Sequence, residues 1–87
     1  MKIHEIKTVE PFFTQSKYGM KGFELRNNDR NYAVGDYLLL QQFIEGELTG
    51  DTSWSIITYF LQGYVGLLDD YCILGTRLCA DPEEETE

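Results

Sequence analysis

GMKGFELRNNDR, residues 19–30, decides how the rest of the chain is read. Phe23-Glu24-Leu25-Arg26 alternates apolar and charged side chains, the period of a strand with Phe23 and Leu25 on one face and Glu24 and Arg26 on the other. Asn27-Asn28-Asp29 is turn chemistry, with Asn27 or Asn28 suited to a positive φ. The stretch also concentrates charge. The chain holds seven Lys and Arg against fifteen Asp and Glu, yet Lys17, Lys21, Arg26 and Arg30 fall within or just before these twelve residues.

Upstream, KIHEIKT alternates as a strand does. Glu10-Pro11 then opens a helix of about two turns, with Phe12, Phe13 and Ser16 toward the core and Gly19 as its left-handed stop. Downstream, Val34-Gly35-Asp36 reads as a turn feeding the strand DYLLLQQFI, which starts apolar on both faces and is therefore expected to be covered on both sides. GELTGDTS reads as a loop, WSIITYFL and YCILGTRLC as strands, and the glycine-containing QGYVGLLDD between them as a second loop. The sum is an α+β, mainly β chain: a small barrel or strongly curved sheet of about five strands with one short helix covering an opening. An open sheet with a helix on one face is the alternative. Eighty-seven residues support one core, so residues 1–79 are expected to form a single domain and residues 80–87 an acidic, disordered tail.

That tail carries five of the fifteen acids, so the net charge of −8 falls to −3 over residues 1–80. A broad basic surface of the kind that binds duplex nucleic acid by counterion release is excluded, and any phosphate contact must be local to Lys17–Arg30. Cys72, Cys79 and the single His4 make no zinc ligand spacing, so no metal or cofactor is expected. The opening MKIHEIK lacks the apolar segment of an export signal and no apolar run is long enough to span a membrane. The expectation is a cytoplasmic protein with reduced cysteines and a structural His4.

The string Gly19-Met20-Lys21-Gly22-Phe23-Glu24-Leu25-Arg26 fits G-x-K-x-x-E-x-R and resembles the signature of the ASCH domains, a branch of the PUA-like superfamily. The continuation Asn28-Asp29-Arg30-Asn31-Tyr32-Ala33-Val34-Gly35-Asp36, with KIHEIK, ITYFLQG and the run from Gly66 to Leu74, resembles more narrowly the DUF3850 group of phages and bacteria. The resemblance covers about residues 1–78. It implies a PUA-like pseudobarrel with a cleft between helix and barrel where Lys, Glu and Arg meet, and a role in binding RNA or a nucleotide-like ligand.

The residues themselves point the same way. Glu24 and Arg26, two apart on one strand face, lie roughly 6–7 Å apart at Cα and can hydrogen-bond each other or one small ligand. Lys21 can lean over the same face, Arg30 can return toward it and Asp29 can orient a guanidinium. Tyr64, in the glycine-containing loop, is a candidate stacking contact, whereas Trp54, Tyr59 and Tyr71 read as core. The plainer reading makes Glu24 and Arg26 a solvated ion pair of little consequence. Three functions follow. The first is a module binding an unpaired RNA base or a nucleotide through Lys21, Glu24, Arg26, Asp29, Arg30 and Tyr64. The second is an enzyme on a modified nucleoside, since some small ASCH proteins are similar to amidohydrolases of acylated cytidines. Lys21 matches their Lys, and Glu24 stands at their Thr position, so that Lys21 and Glu24 would be the acid–base couple. The third is an acidic, phage-type interaction protein that presents its acidic surface to a basic host partner as a mimic of nucleic acid.

Overall fold

Ile3–Thr8 forms β1 in the computed structural model, which describes residues 1–85, and the alternation expected from the sequence turns His4, Ile6 and Thr8 inward. Helix α1 follows at Phe12–Lys17. Pro11 stands one position ahead of it, and the first turn is held by the Glu10 carboxylate, which accepts the Thr14 N–H at 3.0 Å and the Thr14 hydroxyl at 2.7 Å. Phe13 and Ser16 are buried as expected, but Phe12 is not: six residues supply one narrow stripe, and Phe12 falls beside it. The remaining strands are β2 (Phe23–Asn27), β3 (Tyr37–Ile44), β4 (Glu47–Gln62) and β5 (Tyr71–Leu78). Pro82–Glu85 makes one 3-10 turn within the segment expected to be disordered, and positions 86 and 87 lie outside the described residues.

The five strands form one sheet in the order β1-β3-β4-β5-β2, parallel between β1 and β3 and antiparallel elsewhere. The sheet curls into a half-barrel around Ile6, Phe13, Leu38, Leu40, Ile57, Cys72 and Leu74, with α1 packed on β3 and β4. Cys72 is a small core residue whose thiol burial pushes up in pKa. Curling brings the two edge strands toward each other, joined by side chains in place of a ladder. Arg26 Nη2 donates to Thr8 Oγ1 at 3.4 Å, and Arg30 Nη1 donates to the Glu5 carbonyl at 2.6 Å. This seam between β1 and β2 positions the candidate site.

Three local expectations are corrected. First, β3 is fully buried on the face of Leu38 and Leu40 and half-buried on the other, where Tyr37 meets Trp54 edge-on at 6.5 Å. Second, the GELTGDTS stretch belongs almost wholly to β4. Glu45 and Gly46, with φ of 51° and 84°, close a two-residue hairpin of the primed type, whose twist matches the flanking strands. Third, the positive φ in the turn after β2 belongs to Asn31 (52°). Asn27 still belongs to β2, and Asn28 braces the turn with its side chain, accepting the Tyr32 N–H at 3.2 Å and donating to Gln62 at 2.8 Å.

A buried polar staple fixes β1 to the turn that feeds β3. Asp36 accepts hydrogen bonds from His4 Nε2 at 2.9 Å and from the Lys2 and Ala33 N–H groups, both at 3.2 Å, while the Tyr32 ring packs edge-on against His4. Burial opposes ionisation of Asp36, but those donors outweigh it and lower its pKa. His4 is thus structural, as the sequence implies.

Candidate functional site

The faces of β2 are inverted relative to an ordinary half-buried strand. Phe23 and Leu25 are exposed, and Glu24, at 4% exposure, faces the interior. An isolated carboxylate there would be costly to desolvate. It is stabilised by four hydrogen bonds: Oε1 accepts from Arg26 Nε and Nη2, each at 3.2 Å, and Oε2 accepts from Lys21 Nζ at 2.8 Å and Ser16 Oγ at 3.3 Å. A carboxylate offers about four lone-pair sites, so Glu24 is saturated within the protein. The solvated ion pair of the plainer reading is therefore replaced by a triad centred on a buried carboxylate, Lys21 from the Gly19–Gly22 connection with Glu24 and Arg26 from β2, to which α1 adds Ser16.

Saturation changes what the three residues can do. Glu24 has no acceptor to spare for a ligand and acts as the fixed post on which two cations are oriented. Lys21 spends two of its three N–H groups, on Glu24 and on the Phe23 carbonyl at 2.6 Å. Arg26 spends Nε and Nη2 on Glu24 and Thr8, and among the described residues its Nη1 group has no hydrogen-bond partner. Lys21 and Arg26 side chains remain 13% and 27% exposed, and both line the seam.

The seam has two lobes. The first, about 420 Å³, lies between Thr8 and Val9 on one bank and Lys21 to Arg26 on the other, with Phe12 at its end. Its walls are mainly apolar, and Phe12 and Phe23 are each 48% exposed. The second, about 600 Å³, is the more polar of the two: Glu5, Arg26, Asn27, Asp29, Arg30 and Gln41 bound it together with Ile6, Tyr32 and Leu48. Lys7 and Arg26 border both lobes.

The structure brings Lys21, Glu24 and Arg26 together as the sequence implied. Asp29 and Arg30 are turned to the second lobe, where Arg30 is tied to Glu5 and stands 4.0 Å from Asp29. Tyr64 borders neither lobe and is exposed on the loop between β4 and β5. Tyr59, read as core, is exposed as well, because a register slip between Ile57 and Tyr59 carries it off the inner face. Sequence reasoning missed Ser16 as a donor to Glu24, and Phe12, Phe23 and Lys7 as lining. A signal was present for Phe23: on a strand whose charged face turns inward, the apolar face must turn out. Among the described residues no cluster of His, Cys, Asp and Glu suits a metal ion, and no helix is long and apolar enough to cross a membrane.

Comparison with known proteins matches residues 3–76 to the family described as "Domain of unknown function (DUF3850)". The chain is also similar to the "Uncharacterized 12.9 kDa protein in GpA 3'region" of Escherichia phage P2, 37% identical over 73 residues. That alignment takes in 84% of this chain and 66% of the phage protein. All of the seam residues named above fall within the matched span.

Proposed function

The chain belongs to the DUF3850 family, and with that membership as premise we propose that it binds a nucleotide or an unpaired RNA base in the seam. Placement in the wider ASCH and PUA-like group, on the Gly19–Arg26 motif, is part of the same proposal. One observation carries it: two cations held on a saturated carboxylate line a lobe walled by half-exposed phenyl rings. A ligand that fits such a lobe has a flat apolar face and presents acceptors at its edge, which describes a nucleobase with its carbonyl oxygens or attached phosphate. The Lys21 ammonium lies 5.0 Å from the centroid of the Phe23 ring, which is 48% exposed. Electrostatics favour this entrance, since Lys7, Lys21, Arg26 and Arg30, four of the chain's seven Lys and Arg, line the seam of a protein with net charge −8.

The test is calorimetric titration with the four nucleosides, their monophosphates and short single-stranded RNA, repeated for Phe23→Ala, which removes an exposed ring without touching the core. Loss of one stacked base weakens binding by about 1–3 kcal/mol, or about 5- to 150-fold. Absence of saturable binding to every one of these ligands would refute the reading. The same absence would favour the acidic interaction protein, for which internal pairing of Lys21 and Arg26 on Glu24 is the supporting observation.

A further inference from the structure

The two lobes share two lining residues, one on each edge strand, and both are cations, so the boundary between the lobes, here called the waist, is cationic. Arg26 borders both lobes from β2, and among the described residues its Nη1 group has no hydrogen-bond partner. Lys7 borders both from β1, and among the described residues no carboxylate lies within 4.0 Å of its ammonium, which rests 5.0 Å over the Phe43 ring. That contact is at the surface and is readily exchanged for a stronger acceptor. The lobes on either side are chemically unlike: one has apolar walls, the other has Asn27, Asp29, Arg30 and Gln41.

Resting on the reading of the seam as a nucleotide site, we propose that the ligand is a single strand of at least two nucleotides whose linking phosphodiester is clamped at the waist between Lys7 and Arg26. One base stacks in the lobe of Phe12 and Phe23. The next nucleoside lies in the polar lobe, where Asn27 and Gln41 amides and the Arg30 guanidinium offer hydrogen bonds to a base edge or ribose hydroxyl. A mononucleotide fills one lobe and leaves the other to water. A duplex is excluded, because its bases are stacked and paired and cannot enter a gap between two edge strands. Glu24 takes no ligand contact in this arrangement. It is a positioning residue that holds Arg26 at the waist.

The experiment compares ApA, CpC, GpG and UpU with the matching nucleosides and 5′-monophosphates, each titrated at several salt concentrations into the wild-type chain, Lys7→Gln and Lys7→Arg. Lys7 is exposed and off the Glu24 network, so melting temperatures of both variants should equal the wild type. The best dinucleoside monophosphate is expected to bind at least tenfold more tightly than its monophosphate. Lys7→Gln should weaken that binding tenfold and reduce the slope of log K against log salt by about 0.7, as expected for one lost phosphate contact on a single strand. Nucleoside affinity should stay within twofold, and Lys7→Arg should restore the wild-type values. Equal affinity for monophosphate and dinucleoside monophosphate, or an unchanged salt slope in Lys7→Gln, overturns the clamp and leaves the proposed function standing. Failure of every compound to bind the wild type overturns the proposed function itself.

Discussion

Glu24→Gln is the substitution that asks most of the triad. The side chains have almost the same volume, so no cavity forms and the change is purely one of charge and hydrogen bonding. Glutamine keeps one carbonyl oxygen, which can retain either the two N–H groups of Arg26 or the pair from Lys21 and Ser16, but not both. Its amide then points two N–H groups at a cation. Hydrogen bonds to charged groups contribute about 1.5–3 kcal/mol each, and two are lost. The released cations recover part of that by hydration, being already 13% and 27% exposed, which leaves a destabilisation of about 2–4 kcal/mol. For a domain of this length, whose total stability is of the order of 4–13 kcal/mol, the loss is large. Urea unfolding followed by the fluorescence of Trp54, the single tryptophan, reads it directly. With a slope of about 1 kcal/mol/M the midpoint should fall by about 2–4 M at unchanged slope. Arg26→Gln takes two charge-assisted hydrogen bonds from the same buried carboxylate and should cost a comparable amount, about 2–4 kcal/mol. A Glu24→Gln midpoint that implies less than about 0.5 kcal/mol would mark Glu24 as a surface-like charge and refute the argument from saturation.

Two further outcomes follow from packing and from acid titration. A Cβ added at Gly75 would lie 2.8 Å from Tyr59 Cβ on the neighbouring strand, so Gly75→Ala should cost about 1–3 kcal/mol and lower the melting temperature by about 4–8 °C for each kcal/mol; an unchanged melting curve would show that the bulge at Tyr59 yields freely. Asp36 has a folded-state pKa below its ordinary value, so the stability it contributes is complete above the ordinary carboxylate pKa and is lost as pH falls through the lower folded value. Melting temperatures of wild type and Asp36→Asn should accordingly converge as pH drops below about 4, with the wild type ahead above it, and parallel curves across that range would contradict the assignment.

The half-barrel was largely legible because its signals are local. Alternation places β1 and β2, the β-branched and aromatic runs place β4 and β5, and Val34-Gly35-Asp36 is the turn it looks like. The hairpin between β3 and β4 escaped notice for a physical reason. Two successive residues with positive φ are usually announced by Asn-Gly or Asp-Gly, and here the first position is Glu45, a residue that enters the left-handed region only against its Cβ. The triad was legible from spacing along β2, since side chains two apart share a face. Its saturation was not, because the remaining donor, Ser16, comes from α1, and Arg26 is also tied to Thr8 on β1, far from it in sequence. The groove was also out of reach of sequence, for it is a property of two edge strands that approach only when the sheet curls.

The inversion of β2 links fold to function. A strand with Glu and Arg turned inward and Phe and Leu turned outward reverses the pattern of β3 and β5, which bury Leu38 and Leu40, and Cys72 and Leu74. An apolar pair at positions 24 and 26 would fill the same space, and replacing buried ion pairs by apolar groups of matching volume is commonly neutral or stabilising. Stability therefore gives no reason for the triad, and violations of local consistency of this kind concentrate at sites that do something else. What the inversion produces is specific: a rigidly oriented pair of cations at the bottom of a seam, and exposed phenyl and leucine side chains along its rim. An interior turned outward at the one place where the sheet fails to close is the arrangement an amphipathic, acceptor-bearing ligand requires. Glu24→Leu with Arg26→Leu should accordingly separate the two demands, preserving or raising the urea midpoint while abolishing nucleotide binding. Retained binding in that double variant would detach the seam from the triad.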